Sequence, residues 1–305
     1  MPISIRKNIK RLPFVNRFIN FLKSIKPAIF HEMSLYDVIK LYLQGIANGA
    51  VTQRASAIAF SFFMALFPFA LFLFNLIPYI PLDNFQDDFL VFVSQNVPPN
   101  TYDAIANIIK DILNNSNKGL ISTGILLSIY LMSNGINALL DGFEMSMHIS
   151  IKRGYFRQYA IAIGLSLIIA FLLIFTVAAI LVFEVFIQKI ENQVGLSTNA
   201  IVLQICRYVF MGLMVLTITS LLYKLGTKET KQVAFFSYGS VFSTILFALS
   251  SYVFGIYVVH FAKYNELYGS IGTLLVMMFY IWINCILLLI GFELNAFIYK
   301  MKKKN

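Results

Sequence analysis

Long apolar stretches alternate with short polar segments along most of the chain. At about 1.5 Å per residue, a stretch of 18 or more residues crosses a hydrocarbon core of about 30 Å as a helix. The pattern therefore predicts an all-α, polytopic membrane protein with six transmembrane helices. The predicted spans lie at about residues 57–80, 120–140, 158–184, 203–223, 234–260 and 271–298.

The segments outside the spans show helical spacing of their own. Residues 1–33 are a basic arm with apolar residues at three- and four-residue steps, typical of an amphipathic helix on a membrane surface; a basic tail without fixed structure is the alternative. A second amphipathic stretch, 34–53, leads straight into span 1, and the external loop 82–118 predicts two short helices. The membrane domain is expected at 34–299, followed by a basic tail at 300–305.

Composition and charge placement refine this topology. Hydrophobic residues make up 59% of the chain and charged residues 12%, whereas about a quarter of the residues in soluble domains are charged. Of the 24 Lys and Arg residues, 19 lie before span 1, after spans 2 and 4, or in the C-terminal tail. Because Lys and Arg concentrate in cytoplasmic segments, both termini are expected in the cytoplasm. The net charge of +10 follows from this topology, and no nucleic-acid partner is expected.

Few residues suggest catalytic or metal chemistry. Cys206 and Cys285 both fall inside apolar spans, and the three histidines are scattered along the chain. The sequence shows no metal-ligand spacing, no phosphate-binding glycine loop and no Gly-x-Ser-x-Gly elbow. We therefore expect no metal, no cofactor and no enzymatic activity.

Span 2 carries a polar stripe that runs towards the cytoplasm. Its members recur at steps of three and four residues and share one helix face, and they are Tyr130, Asn134, Asn137, Asp141, Glu144 and His148. Two interpretations remain open. The stripe either lines a cavity open to the cytoplasm, or its asparagines bind neighbouring helices. In the first case Arg54 lies at the entrance, and Asn284 and Asn295 of span 6 are further candidate lining residues.

Span 6 ends with the segment "LLIGFELNAF" at 288–297, which contains Glu293 and Asn295. A carboxylate near a helix C-terminus opposes the helix dipole, so a cationic partner is expected. Arg54 is the first candidate for a structural polar lock, and the lysines at 300–304 are the alternative. At about 100° per residue, Asn295 shares a face with Asn284, whereas Glu293 points away from it. One of the two is expected to face the interior, and the other to hold span 6 against a neighbour.

The loop between spans 2 and 3 contains Lys152, Arg153 and Arg157. These residues set the topology, and they are also candidates for contact with anionic lipid head groups.

Several segments together resemble the YihY/BrkB family of bacterial inner-membrane proteins, formerly labelled as ribonucleases. They are "RASAIAFSFFMALFPFALFLF" at 54–74, "NGINALLDGFE" at 134–144 and the region 257–298. The motif positions are Tyr268, Gly269, Ser270, Gly272, Gly291, Glu293 and Asn295. The chain departs from the family at Gly226-Thr227, where a Pro-Asn pair is common. The resemblance implies a six-span protein of the bacterial plasma membrane with cytoplasmic termini.

The stripe and the basic entrances favour a transporter or lipid-translocating protein with a polar cavity open to the cytoplasm. Membrane lipids, with anionic head groups, are its expected partners. The competing hypothesis is an envelope scaffold or assembly partner that binds another protein through the loop 82–118. A membrane-embedded hydrolase or ribonuclease is the least favoured class. The sequence leaves the oligomeric state open.

Overall fold

A computed structural model describes residues 34–76, 118–194, 200–232, 234–261 and 270–304, with isolated positions at 17, 20, 21, 23, 24, 90, 91 and 94. This part of the chain contains helices and no strands, which confirms the all-helical fold. The elements are α1 (Leu35–Asn48), α2 (Val51–Leu76), α3 (Lys118–Glu144), α4 (Tyr155–Val194), α5 (Ala200–Gly226), a 3₁₀ turn (Glu229–Gln232), α6 (Tyr238–Phe261) and α7 (Ser270–Lys304). The predictions for the N-terminal arm and for the external loop lie outside the described residues.

Four described helices are long and apolar enough to cross a membrane, and Val51–Leu66 forms a shorter apolar helix. Large apolar side chains such as Leu126, Phe171 and Tyr252 are exposed on the outside of the bundle, as expected where lipid is the solvent. The architecture is therefore that of a polytopic membrane protein. The four long segments are Tyr155–Ile180, Ile205–Gly226, Tyr238–Tyr257 and Leu274–Met301.

We call the end of the bundle where α2, α4 and α6 begin, and α3, α5 and α7 end, the basic end. Its core is aromatic: Phe143 of α3 stacks on Phe292 of α7 with ring centroids 4.1 Å apart. Tyr223 of α5 meets both rings edge-on, at 5.7 Å and 5.9 Å. All three side chains are almost fully buried. Three helices that are distant in sequence are thus joined directly beside Glu293.

The amphipathic stretch at 34–53 does not run straight into span 1. Helix α1 ends at Asn48 and α2 begins at Val51, and between them Ala50 has a φ of 49°. A positive φ is unusual for a residue with a side chain and marks a tight turn. This turn lets α1 lie against α7, where the Tyr42 hydroxyl donates to the Ile290 carbonyl over 2.5 Å.

Helices α6 and α7 cross at two glycines. A Cβ at Gly291 would overlap Ser243 Oγ and lie 2.7 Å from the Tyr223 hydroxyl, and one at Gly239 would overlap the Gly291 carbonyl. The Tyr223 hydroxyl bonds Ser243 Oγ at 2.6 Å and donates to the Leu288 carbonyl at 2.7 Å. Small residues let the two backbones approach this closely.

Gly291→Ala is therefore expected to lower the free energy of unfolding by about 1–3 kcal/mol, because α6 and α7 must separate to admit the methyl group. Gly255→Ala on α6 is the matched control, since its Cβ would meet nothing within 4 Å. Thermal unfolding of the purified protein in detergent measures both. Equal melting temperatures for the two variants would contradict this account of the crossing.

Candidate functional site

A buried ion pair joins α2 to α7 at the basic end. Arg54 Nη2 lies 2.6 Å from Glu293 Oε1, and the two residues are 4% and 1% exposed. Arg54 Nη1 also donates to the Gly142 carbonyl over 2.7 Å, and Ser146 Oγ donates to Glu293 Oε2 over 2.7 Å. We call this group, made of Arg54, Glu293, Ser146 and the Gly142 carbonyl, the polar lock. Each oxygen of the Glu293 carboxylate thus accepts one hydrogen bond, from Arg54 or from Ser146.

Of the two expected partners of Glu293, Arg54 and the tail lysines, the structure places Arg54 beside the carboxylate. Lys300 Nζ donates to the Met147 carbonyl at 3.3 Å, and the side chains of 302–304 lie outside the described residues. Ser146, which completes the lock, was not identified from the sequence, because it lies just beyond α3, where helical periodicity no longer applies.

The two polar residues of "GFELNA" bind different neighbours. Asn295 Oδ1 accepts from the Gly239 N–H over 2.8 Å, and its Nδ2 donates to Ser237 Oγ over 2.7 Å. Asn295 therefore caps the start of α6 from α7. Asn284 Nδ2 donates to the Tyr280 carbonyl of its own helix over 2.8 Å. Neither contact shows the cavity lining expected for these asparagines.

The polar stripe of α3 meets α4 along one line of contact. The Tyr159 hydroxyl donates to Asn134 Oδ1 over 2.9 Å. Gln158 Nε2 donates to Asp141 Oδ1 over 2.5 Å and contacts Asn137 Oδ1 at 3.3 Å, while Asn137 Nδ2 donates to Asp141 Oδ2 over 3.2 Å. We call the residues Tyr130, Asn134, Asn137, Asp141, Gln158 and Tyr159 the α3–α4 seam.

The α3–α4 seam is closed on one side and open on the other. Inside the bundle, the buried Ser133 and Ser166 hydroxyls meet at 3.0 Å. Outside, Tyr130 is 55% exposed, Asp141 is exposed, and Asn134 is half-buried. The stripe thus contacts a helix and also presents polar atoms at the bundle surface. Gln158 and Tyr159 were not identified from the sequence, although they lie within the first five residues of the helix that follows the stripe.

Glu144 and His148 do not continue the stripe. Glu144 is buried, and both of its carboxylate oxygens lie 3.2 Å from the Arg153 N–H. The His148 ring packs edge-on against Phe297 with centroids 5.6 Å apart. The reason is that α3 ends at Glu144, and the chain after it turns back across the basic end.

The loop between α3 and α4 is held by acids that point inwards. Glu229 Oε1 accepts from the N–H groups of Ser150 and Ile151, each over 2.9 Å. Arg153 is buried and its Nη1 donates to the Leu225 and Gly226 carbonyls at the end of α5. Lys152 and Arg157 remain exposed. Of the three candidate head-group contacts, Arg153 therefore has a structural role and two face outwards.

Two cavities lie on the apolar surface of the described helices. One of about 360 Å³ between α6 and α7 is lined by residues such as Leu249, Phe254 and Phe279, and one of about 450 Å³ lies on α4 beside Phe175 and Val182. The seam residues line neither. Within the described ranges, no three His, Cys, Asp or Glu residues are grouped so that they could hold a metal ion.

Of the remaining motif positions, two lie in the described part of the chain and two do not. Tyr268 and Gly269 lie outside the described residues, Ser270 begins α7, and Gly272 is buried.

Glu293→Gln and Arg54→Met are each expected to destabilise the protein by about 3–5 kcal/mol, because each leaves part of a buried charge pair uncompensated. The double variant should lose less than the sum of the two, since it removes both charges. Arg157→Met, at an exposed arginine, is the control. Thermal unfolding of the original protein and the four variants measures the coupling, and strictly additive losses would argue against the lock.

His148 predicts a pH dependence of stability. The pKa of His148 is lowered, mainly because the ring is partly buried; Glu293 opposes this shift and Lys300 adds to it. Neither ring nitrogen has a hydrogen-bond partner among the described residues. The folded state thus binds a proton less readily than the unfolded chain, whose histidine pKa is about 6.5. Stability from this residue is complete above that pH and declines as the pH falls below it. His148→Phe should show a smaller drop in melting temperature between pH 7 and pH 5 than the unsubstituted protein. An unchanged pH profile would contradict this.

Comparison with known proteins shows the family to which this chain belongs. A family model described as "Virulence factor BrkB" matches residues 42–305. A Bacillus subtilis (strain 168) protein named "Putative ribonuclease-like protein YfkH" is 31% identical over 82% of this chain and 91% of its own length. A UPF0761 membrane protein of Aggregatibacter aphrophilus (strain NJ8700) is 23% identical over 87% of this chain and 93% of its own. A UPF0761 membrane protein of Haemophilus influenzae (strain 86-028NP) is also 23% identical, over 87% of this chain and 96% of its own length.

No solved structure matches this chain. These relatives cover more than four fifths of the chain. Two of them are named as membrane proteins, and the Bacillus protein has a ribonuclease-like name. The BrkB family is not a known enzyme family. The matched region contains the polar lock, the α3–α4 seam and the α6–α7 crossing, and the chain is an integral membrane protein that belongs to the BrkB family.

Proposed function

We propose that this protein is a transporter or lipid-translocating protein of the bacterial plasma membrane, with its basic end and both termini in the cytoplasm. The observation that carries the proposal is the half-open α3–α4 seam. Polar groups inside a bilayer usually face the bundle interior or a wet cavity. Here Tyr130 and Asp141 are exposed at the surface of the bundle instead, and Asn134 is half-buried.

The depth of the seam in the membrane supports a role other than holding α3 against α4. Asn134 lies six residues before the predicted end of span 2 at about residue 140, which corresponds to about 9 Å along the helix. In a core of about 30 Å, this depth is inside the hydrocarbon region. The Asn134 and Tyr159 side chains therefore form a polar contact at a depth where lipid chains offer them no hydrogen bonds. A polar substrate passing along the seam would meet hydroxyl and amide groups instead of lipid chains.

The polar lock supplies the fixed frame for such a path. It joins α2, α3 and α7 through buried charge-assisted hydrogen bonds, whereas the seam depends on neutral or exposed groups between α3 and α4. Hydrogen bonds of the seam type exchange with water or with a polar substrate at little net free energy. We propose that α4 moves relative to a rigid unit of α2, α3 and α7.

The second candidate function is a scaffold without transport. The observation that favours it is that Gln158 already satisfies Asp141 and Asn137, as expected for polar groups that hold two helices together. The partner protein would bind the loop 82–118. In this case the seam contributes stability alone.

We also propose that the protein is not a hydrolase or ribonuclease, in contrast to the printed name of the Bacillus relative. Acid–base cleavage of RNA needs titratable groups that can reach a substrate in water. Glu293 is bound by Arg54 and Ser146, Glu144 by the Arg153 N–H, and the His148 ring packs on Phe297. Each of these groups is occupied or covered.

Reconstitution into proteoliposomes tests the transport proposal. Initial rates are measured for fluorescent phospholipids and for a panel of small organic anions. Asn137→Leu and Asp141→Asn are expected to lower the rate of any transported substrate at least tenfold, because they remove polar groups from the path. Thr217→Val on α5 is the control, since the Thr217 hydroxyl donates to the Leu213 carbonyl of its own helix.

Variants that fold and transport like the original protein would refute the path along the seam. A complete lack of transport, together with a stoichiometric partner crosslinked through the loop 82–118, would establish the scaffold instead.

A further inference from the structure

The outer side of the α3–α4 seam carries polar groups that the described chain does not satisfy. Asn134 Oδ1 accepts from the Tyr159 hydroxyl, but Asn134 Nδ2 has no hydrogen-bond partner among the described residues. Tyr130 meets the Tyr159 ring with centroids 6.4 Å apart, and its own hydroxyl has no hydrogen-bond partner in the same part of the chain. Tyr130 is 55% exposed.

Both groups lie deep in the predicted membrane region. Asn134 and Tyr130 precede the predicted end of span 2, at about residue 140, by six and ten residues. These separations correspond to about 9 Å and 15 Å along the helix, inside a hydrocarbon core of about 30 Å. Lipid chains offer no hydrogen bonds to an amide or a hydroxyl at this depth. A polar surface of another protein copy would satisfy them.

Opposite charges stand at one level of the same surface without forming an ion pair. Asp141 is exposed, and its carboxylate accepts from the neutral amides of Asn137 and Gln158. Arg157, which directly precedes Gln158, is exposed too, and within the described ranges no ion pair joins it to Asp141. Because Gln158 bonds Asp141 over 2.5 Å, the acid and the base lie at similar depth.

Tyrosine side chains connect the polar groups along this surface. Tyr155 stacks on Tyr159 with ring centroids 6.2 Å apart, and Tyr155 is 71% exposed. Tyrosine and arginine are enriched where protein surfaces meet. We call the outward-facing set the seam face, and its members are Tyr130, Asn134, Asp141, Tyr155 and Arg157.

A second copy of this chain matches the seam face by symmetry. All copies share one orientation in the membrane, because each has the same distribution of Lys and Arg. The two-fold axis of a dimer is then perpendicular to the bilayer, and residues of equal depth meet across it. Asp141 of one copy therefore lies at the level of Arg157 of the other, and the two charges pair twice. An asparagine amide both donates and accepts hydrogen bonds, so Asn134 can bond its own equivalent.

We propose that this protein forms a two-fold symmetric dimer through the seam face. Hydrogen bonds between asparagines associate helices in membranes, and the two Asp141–Arg157 pairs fix the register. The second copy also supplies the wall that the half-open seam lacks on its outer side, so a polar substrate passes between the two copies. This last point rests on the proposed function, whereas the dimer itself does not.

A lipid head group is the competing occupant of the seam face. It carries charges that could pair with Asp141 and Arg157 near the membrane surface. It does not reach Asn134 and Tyr130, which lie about 9 Å and 15 Å inside the hydrocarbon region. The depth of these two residues therefore favours the second copy.

Cysteine crosslinking in isolated membranes tests the position of the interface. Tyr130→Cys is combined with Cys206→Ser and Cys285→Ala, which remove the two native cysteines. Oxidation with copper phenanthroline should link most of the protein into disulfide dimers, because Tyr130 lies one helical turn from Asn134, beside the two-fold axis. Tyr252→Cys in the same background is the control. This residue of α6 is also 71% exposed and should remain largely uncrosslinked.

Charge reversal tests the register in the same Tyr130→Cys background. Asp141→Arg and Arg157→Asp each bring like charges together across the axis and should slow disulfide formation at least tenfold. The two substitutions combined should restore most of the original rate. Because the pair does not form within one copy, such a rescue identifies a contact between copies. Lys40→Asp at an exposed position of α1 is the control and should leave the rate unchanged.

Either of two results would overturn the dimer. One is that Tyr130→Cys crosslinks no faster than Tyr252→Cys, and the other is that the combined charge variant crosslinks as slowly as its single variants. Phospholipid retained by a monomer in native mass spectrometry, and lost in Asp141→Arg, would then assign the seam face to lipid. Crosslinking requires no substrate, so the dimer can stand where the proposed function fails. Transport by liposomes that hold one copy each would uphold the proposed function and refute the shared path.

Discussion

The rest of the basic end depends on one buried carboxylate. Glu293 is 1% exposed on a helix that is long and apolar enough to cross a membrane, and an isolated charge in such a place is strongly unfavourable. It is tolerated because Arg54 and Ser146 reach it from α2 and from the segment after α3. Since an ion pair of this kind needs accurate geometry, it restrains the positions of three chain segments at once. The aromatic core of Phe143, Tyr223 and Phe292 then packs around a fixed frame.

The polar groups of this protein fall into two classes by how completely they are satisfied. In the polar lock and in the cap formed by Asn295, the hydrogen bonds are buried and join helices distant in sequence. In the α3–α4 seam, the bonds join consecutive helices, and several of the atoms also face outwards. Buried bonds are costly to break because each leaves an unsatisfied group. The seam is consequently the place where polar contacts can change with the smallest penalty.

The helices could be predicted because length and apolarity are local properties of the sequence. The opposite directions of Glu293 and Asn295 followed from helical geometry, and the structure brings Glu293 together with Arg54. The partners of Asn295 could not be predicted, because Gly239 and Ser237 lie on another helix and meet it only at the glycine crossing. Glu144 and His148 differ from expectation for a related reason. The periodicity of α3 was extended to its end and beyond, but the chain turns back there and directs both side chains inwards.

That return of the chain also determines the charge that the basic end presents. Glu144 and Glu229 are buried against backbone N–H groups of residues 150–153, whereas Lys152 and Arg157 stay outside. The acids are thus satisfied by neutral donors and are withdrawn from the surface, and the bases are not. Counting Lys and Arg along the sequence explains the topology, but the excess of positive charge at the start of α4 arises from this folding. The exposure of Lys152 and Arg157, without a carboxylate partner in the described part of the chain, is therefore a property of the tertiary structure.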